Sequence, residues 1–172
     1  MLTKKIESAL NDQIVMEAYA SNSYLAMASW CEVKGFRGAT KFYYAQSEEE
    51  RIHMLKLVKY VNASGGHANI TSVEGPERAY KTLRETFETA LKQERGVSSS
   101  INNLVELTFN QKDYTTHNFL QWYVQEQHEE ENLFKTILDI FTLAGTDGKS
   151  LIIVDNEIMK IRAEIEQGEV AK

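Results

Sequence analysis

FETALKQERGVSSSINNLV, residues 87–105, is the stretch that decides the fold. Phe87, Ala90, Leu91, Val97, Ile101, Leu104 and Val105 recur at steps of three, four or seven, which is one face of an α-helix and not the alternation of a strand. Glu94 lies on that same face, with Leu91 three residues before it and Val97 three after. An unpaired carboxylate on an apolar stripe costs several kcal/mol or is forced neutral. The stretch therefore raises two questions: what buries this helix, and what neutralises its acid.

Working outward, the same period recurs, and the class is all-α. A first segment, about Thr3 to Val33, carries Ile6, Leu10, Ile14, Tyr24, Met27 and Cys31 on one stripe. Gly35 and Gly38 bracket a short connection to a second, about Ala39 to Ser64, with Phe42, Ala45, Ile52, Leu57 and Val61. Short connections imply antiparallel neighbours. The connection after Gly65, to about Pro76, is the one long one. About a dozen extended residues reach roughly 40 Å, the length of a helix of about 26 residues. It is just long enough to run back along a bundle and set the second and third helices parallel. The third segment spans about Glu77 to Asn110, and Asn110 and Asp113 mark a brief turn. The fourth runs to about Ala144, with Phe119, Tyr123, Leu133, Ile137, Ile140 and Phe141 inward. A shorter fifth, Lys149 to about Gln167, carries Leu151, Ile152, Ile153, Val154, Ile158, Ile161 and Ile165. Four long helices already close a bundle, so this stripe needs another surface: its own bundle or, the reading preferred here, copies of itself about a symmetry axis. The expected organisation is one domain over 1–172, a four-helix bundle to 145 with a short C-terminal helix over 149–167.

The 172 residues suit one domain that needs no disulfide, and a single proline leaves room for uninterrupted helices. A net charge of −6 with no basic tail speaks against nucleic-acid binding. No apolar run reaches the ~20 residues that span a bilayer. The N-terminus lacks a signal peptide's apolar stretch, and Cys31 is the only cysteine, so a cytoplasmic protein is expected.

Glu94 is not the only acid on an inner face. Glu17 has Leu10 and Ile14 before it and Ala20 and Tyr24 after it. Glu50 and His53 lie three apart on the stripe of Gln46 and Leu57, and Gln127 and Glu130 lie three apart among Leu120, Tyr123, Phe134 and Ile137. Each group sits near mid-helix, so all meet at one level of a bundle. Several acids and one imidazole in a dry core require cations. Oxygen-rich ligation with one nitrogen and no thiolate suits iron or manganese better than structural zinc.

This arrangement resembles the ferritin-like di-iron family, whose known signature is a Glu on two helices and Glu-x-x-His on the other two. Glu17 and Glu94 match the single glutamates, and Glu50-x-x-His53 matches one pair. The second pair is altered to Gln127-x-x-Glu130, a departure characteristic of non-haem bacterial ferritins. The resemblance implies that Glu17, Glu50 and His53 hold one iron, and that Glu50 bridges to a second held by Glu94 and Glu130, with Gln127 beside the pair. Tyr24 matches the tyrosine next to that centre; as a plain core aromatic it would only fill space. Glu49, Glu126 and Glu129, with Glu130, match a third iron site of some bacterial ferritins, or are solvated. Haem is not expected, because Arg51 stands where bacterioferritins place a methionine.

By the same resemblance the chain is a ferroxidase and iron-storage subunit of a homo-oligomeric cage of twenty-four copies, taking Fe(II) and O2 or H2O2. Two other classes compete, a di-iron peroxidase or oxygenase and a non-catalytic cage subunit. Asp113 and His117 either line a pore or serve capping and surface roles.

Overall fold

The computed structural model describes residues 2–145 and 147–168, with 169 and 170 as backbone; the outer bounds of the expected domain, Met1 and Lys172, lie outside the described residues. Five helices follow in order: α1 (Lys4–Lys34), α2 (Arg37–Ala63), α3 (Leu83–Asn110), α4 (Tyr114–Ala144) and α5 (Gly148–Val170). There is no strand among the described residues.

Local chemistry sets the ends. Thr3 accepts a hydrogen bond from the Ile6 amide to start α1, and Asp113 accepts from the Thr116 amide at 3.1 Å to start α4. At the end of α1, Gly35 takes a left-handed φ of 84°. Its amide and that of Phe36 return to the carbonyls of Glu32 and Cys31, so the chain reverses within two residues.

Cross-helix hydrogen bonds fix directions. Thr3 meets Gln111 and Ser100 meets Gln13, so α1 and α3 run antiparallel. Gln46 meets Glu130 and Tyr60 meets Thr116, so α2 and α4 do too. Because α1 reverses directly into α2, α2 and α3 are parallel, as a bundle-length crossover requires.

That crossover is longer than expected. It runs over 64–82, and α3 begins at Leu83, not at Glu77. The helix starts where its amides find acceptors. Thr82 accepts from the Glu85 amide at 3.1 Å, while the Glu85 carboxylate takes the Lys81 amide. Upstream, Tyr80 is drawn against Trp30, which holds the preceding residues along the bundle surface.

Helix α5 also departs from the preferred expectation, since its inner stripe is used within the subunit. Val154 and Ile158 are fully buried in the core, and α5 packs on α2 and α4. Asp155 accepts from the amides of Gly38 and Ala39 at 3.0 and 2.8 Å. It caps α2, whose own N-cap, Phe36, supplies no side-chain bond. The approach is close enough that a Cβ on Gly38 would collide with the Asp155 carbonyl. Ile152, Ile153 and Met159 remain exposed on the outer face.

The apolar core is not continuous. One cluster, built on Tyr24, Phe42, Phe87, Phe134 and Phe141, fills the end nearer α5. Another, built on Leu10, Leu57, Ile101, Leu120 and Tyr123, fills the opposite end. Fully burying each such side chain contributes about 1.5–3 kcal/mol. A polar layer lies between them.

Candidate metal centre

All four bundle helices feed this layer. Gln13 and Glu17 come from α1, Gln46, Glu50 and His53 from α2, Glu94 from α3, and Gln127 and Glu130 from α4; none is more than 6% exposed. Helical spacing explains the placement, since each acid shares a face with the core residues three and four positions away.

Glu17, Glu50 and His53 form the tightest group, with one ligand atom of each within 4.8 Å of the others. His53 turns Nδ1 toward Glu50 Oε2 at 3.5 Å, and Nε2 lies 4.0 Å from Glu126 Oε1. Its ring is fixed by the Trp122 edge, and its carbonyl accepts from the Tyr123 hydroxyl at 2.8 Å. Glu17 accepts from Gln13 Nε2 at 2.8 Å. One buried oxygen on each acid, Glu17 Oε2 and Glu50 Oε1, has no hydrogen-bond donor.

Glu94 and Glu130 complete the layer. Tyr24 donates its hydroxyl to Glu94 Oε1, and Gln127 Nε2 donates to Glu94 Oε2 at 2.9 Å. Glu130 accepts from Gln46 Nε2 at 2.8 Å.

The electrostatics follow from burial. Desolvation pushes Glu50 well above the usual carboxylate range, and the charges of Glu94 and Glu17 add to it. Glu130 is raised in the same way, by burial and then by Glu94 and Glu49. Glu94 is raised to about 7 by burial, although Tyr24 and Gln127 pull it back. Burial, with Lys56 nearby, lowers His53 to about 4. That histidine is neutral at physiological pH and has a lone pair to give. An acid-rich pocket that strains against its own charge, with orphaned oxygens aimed inward, fits hard cations.

The sequence matches the ferritin-like domain over residues 7–144. The chain belongs to the ferritin family. It is 47% identical over 158 residues to a probable bacterial non-heme ferritin-like protein of Haemophilus influenzae, covering 92% of this chain and 96% of that protein. It is 44% identical over 161 residues to a bacterial non-heme ferritin of Campylobacter jejuni, covering 94% and 96%. Among solved structures, a novel open-pore ferritin from Archaeoglobus fulgidus superposes with a TM-score of 0.90 at 35% identity, covering 92% of this chain and 98% of that one.

In this ferritin the further acids lie outside the buried layer. Glu49, Glu126 and Glu129 line a cleft of about 700 Å³ between α2, α4 and α5, with His53 and Glu130 in its wall. Glu129 is exposed and accepts from Gln125. Glu49 is engaged by a cation of the protein itself, since Arg162 Nη1 of α5 lies 2.5 Å from Glu49 Oε1. His117 is half-buried, with Nδ1 3.4 Å from the Val105 carbonyl and Nε2 3.4 Å from Gln121.

Sequence reasoning overlooked Gln13 as a partner of the layer, although it lies one turn before Glu17 on the same stripe. It placed Gln46 on the Glu50 stripe without seeing that its amide serves Glu130 on another helix. Arg162 carried no signal, because its partner lies 113 residues away.

Proposed function

We propose that this chain stores iron by oxidising Fe(II) with O2 at the buried layer and passing the ferric product into the hollow of a cage. One observation carries the reading: Glu17, Glu50 and His53 converge within 4.8 Å while two of their buried oxygens have no donor. No other side chain or amide serves those oxygens; only a proton shared between Glu17 and Glu50 can join them, and a cation takes its place.

In this reading Glu17, Glu50 and His53 take one Fe(II), and Glu50 bridges to a second taken by Glu94 and Glu130. Two ions side by side supply two electrons to one O2, so superoxide is not released. Carboxylates stabilise Fe(III) more than Fe(II) and so favour oxidation. Binding displaces the protons held on the raised acids. Gln13 and Gln46 orient the carboxylates they contact, and Tyr24 holds Glu94 and stands ready to give an electron. The iron on the Glu94 and Glu130 side has no histidine, so its hold is looser and Fe(III) moves on, toward Glu49, Glu126 and Glu129 as a third site. No haem takes part.

The assembly proposed is a homo-oligomer of twenty-four subunits in the cytoplasm, with neither nucleic acid nor membrane as partner. No helix among the described residues is long and apolar enough to cross a membrane.

Aerobic addition of Fe(II) to the apoprotein, with oxygen uptake, ferric absorbance and particle size followed together, tests the reading. A storage cage takes up many irons per subunit. Uptake that stops near two supports an oxygenase or peroxidase, and oxidation no faster than buffer supports a non-catalytic subunit.

A further inference from the structure

Arg162 is a cation held almost entirely inside the protein, 5% exposed on the inner side of α5. Its guanidinium stands between two carboxylates. Nη1 is 2.5 Å from Glu49 Oε1 on α2, and Nε is 3.3 Å from Glu166 Oε1 one turn further along α5. Glu166 is itself shared with Lys41 at 3.0 Å. Burying an arginine is unfavourable unless its charge is matched, and here the match comes from Glu49, a residue that lines the cleft.

Glu49 is the residue next to Glu50. It therefore leaves α2 about 100° around from the buried layer and faces the cleft shared with Glu126, Glu129 and Glu130. The far side of that cleft is formed by Ile165 and Gly168 of α5. A cation leaving the layer on the Glu130 side would thus meet Glu49, one of whose oxygens the guanidinium already holds. A guanidinium already on that carboxylate repels an incoming cation and so weakens its binding there.

We propose that Arg162 is a tethered internal counter-cation that competes with metal for Glu49, yielding to Glu166 when an ion arrives, and so sets how tightly the cleft retains iron. The inference deepens the storage reading above and rests on it for iron as the natural ion. No covalent bond is made or broken and no electron moves; the guanidinium only releases Glu49 and keeps the Glu166 contact it already has. Arg162 is accordingly a positioning residue, and it acts through Glu49.

The test uses Tb(III), a hard trivalent cation, titrated into the assembled full-length protein without iron or oxygen. Luminescence sensitised through Trp122, which lines the cleft, reports occupancy. The Glu49-dependent ion is the one lost in Glu49→Gln. In Arg162→Gln that ion should bind about tenfold more tightly, since a neighbouring positive charge has gone. In Glu166→Gln, which removes the receiving carboxylate and leaves the Arg162–Glu49 pair, it should bind several-fold more weakly. Loss of a merely structural clamp would weaken binding in Arg162→Gln, so weakened or unchanged affinity there overturns the proposal. Should Arg162→Gln fail to assemble, Glu166→Gln decides alone, and unchanged affinity in it overturns the proposal. The titration needs no oxidation, so a protein that fails to oxidise Fe(II) but shows these shifts sinks the storage reading and leaves the competition standing.

Discussion

Tyr24 donates its phenolic hydrogen to Oε1 of Glu94, joining α1 to α3 across the polar layer. The ring itself is packed between Tyr43 and Phe134, so Tyr24→Phe removes the hydroxyl and little else. A hydrogen bond to a charged group is worth about 1.5–3 kcal/mol. The rate of the first iron oxidation is expected to fall about tenfold, with the helix content unchanged; stopped-flow ferric absorbance measures it. An unaltered rate would leave Tyr24 as core filling.

Glu50→Gln separates stability from activity. The substitution keeps the shape of the side chain and removes the cost of holding a proton on a buried acid that the unfolded chain would ionise. The apoprotein should melt at a higher temperature, by several degrees, while the first oxidation slows by at least about a hundredfold if Glu50 bridges the two irons as proposed. Calorimetry and oxygen uptake on the same sample give both numbers. A lower melting temperature would mean that Glu50 stabilises the empty fold.

The pH dependence of apoprotein stability follows from the same acids. Glu94 is raised from 4.5 to about 7 in the fold, and Glu17, Glu50 and Glu130 are raised as well. Between about pH 4.5 and 7 the native state therefore holds protons that the unfolded chain has released, and stability falls as pH rises. Glu94 alone accounts for a loss on the order of 2–3 kcal/mol. Denaturant midpoints at pH 5 and pH 8 measure it, and saturating Zn(II) should flatten the slope because the ion takes the place of the protons.

Much of this was legible beforehand, and what was not has a physical cause. Glu94 stood out because a helical period leaves little freedom in which residues share a face, so its stripe from Phe87 to Val105 located both helix and acid. The start of α3 was misplaced because Pro76 and Glu77 look like a helix opening, whereas Thr82 with Glu85 supplies the acceptors that the first amides use. The seat of α5 on its own bundle was left as the lesser alternative because the contact that fixes it, Asp155 on the amides of Gly38 and Ala39, joins residues more than a hundred positions apart. Periodicity reports the face that is buried and says nothing about what buries it.

That docking contact gives its own test. Asp155→Ala leaves the start of α2 uncapped and removes a negative charge from a helix N-terminus, a loss of about 1–2 kcal/mol. Thermal unfolding should show it, and limited proteolysis should cut α5 sooner than in the parent protein. Equal protease resistance would mean that Val154 and Ile158 seat the helix unaided.

Gln127→His places an imidazole on the α4 side of the layer, where the amide now donates to Glu94. The added nitrogen ligand should hold iron longer, so the first oxidation persists while repeated uptake slows several-fold. Successive Fe(II) additions separate the two phases, and equal rates in all rounds would refute the looser-site explanation.

The interruption of the hydrophobic core has a mechanical consequence. An empty subunit is two well-packed half-bundles joined through a stratum of buried acids. Under the proposed function an ion in that stratum would tie the halves together, so each subunit would be firmest while it is oxidising iron and would slacken once the ferric product has moved on.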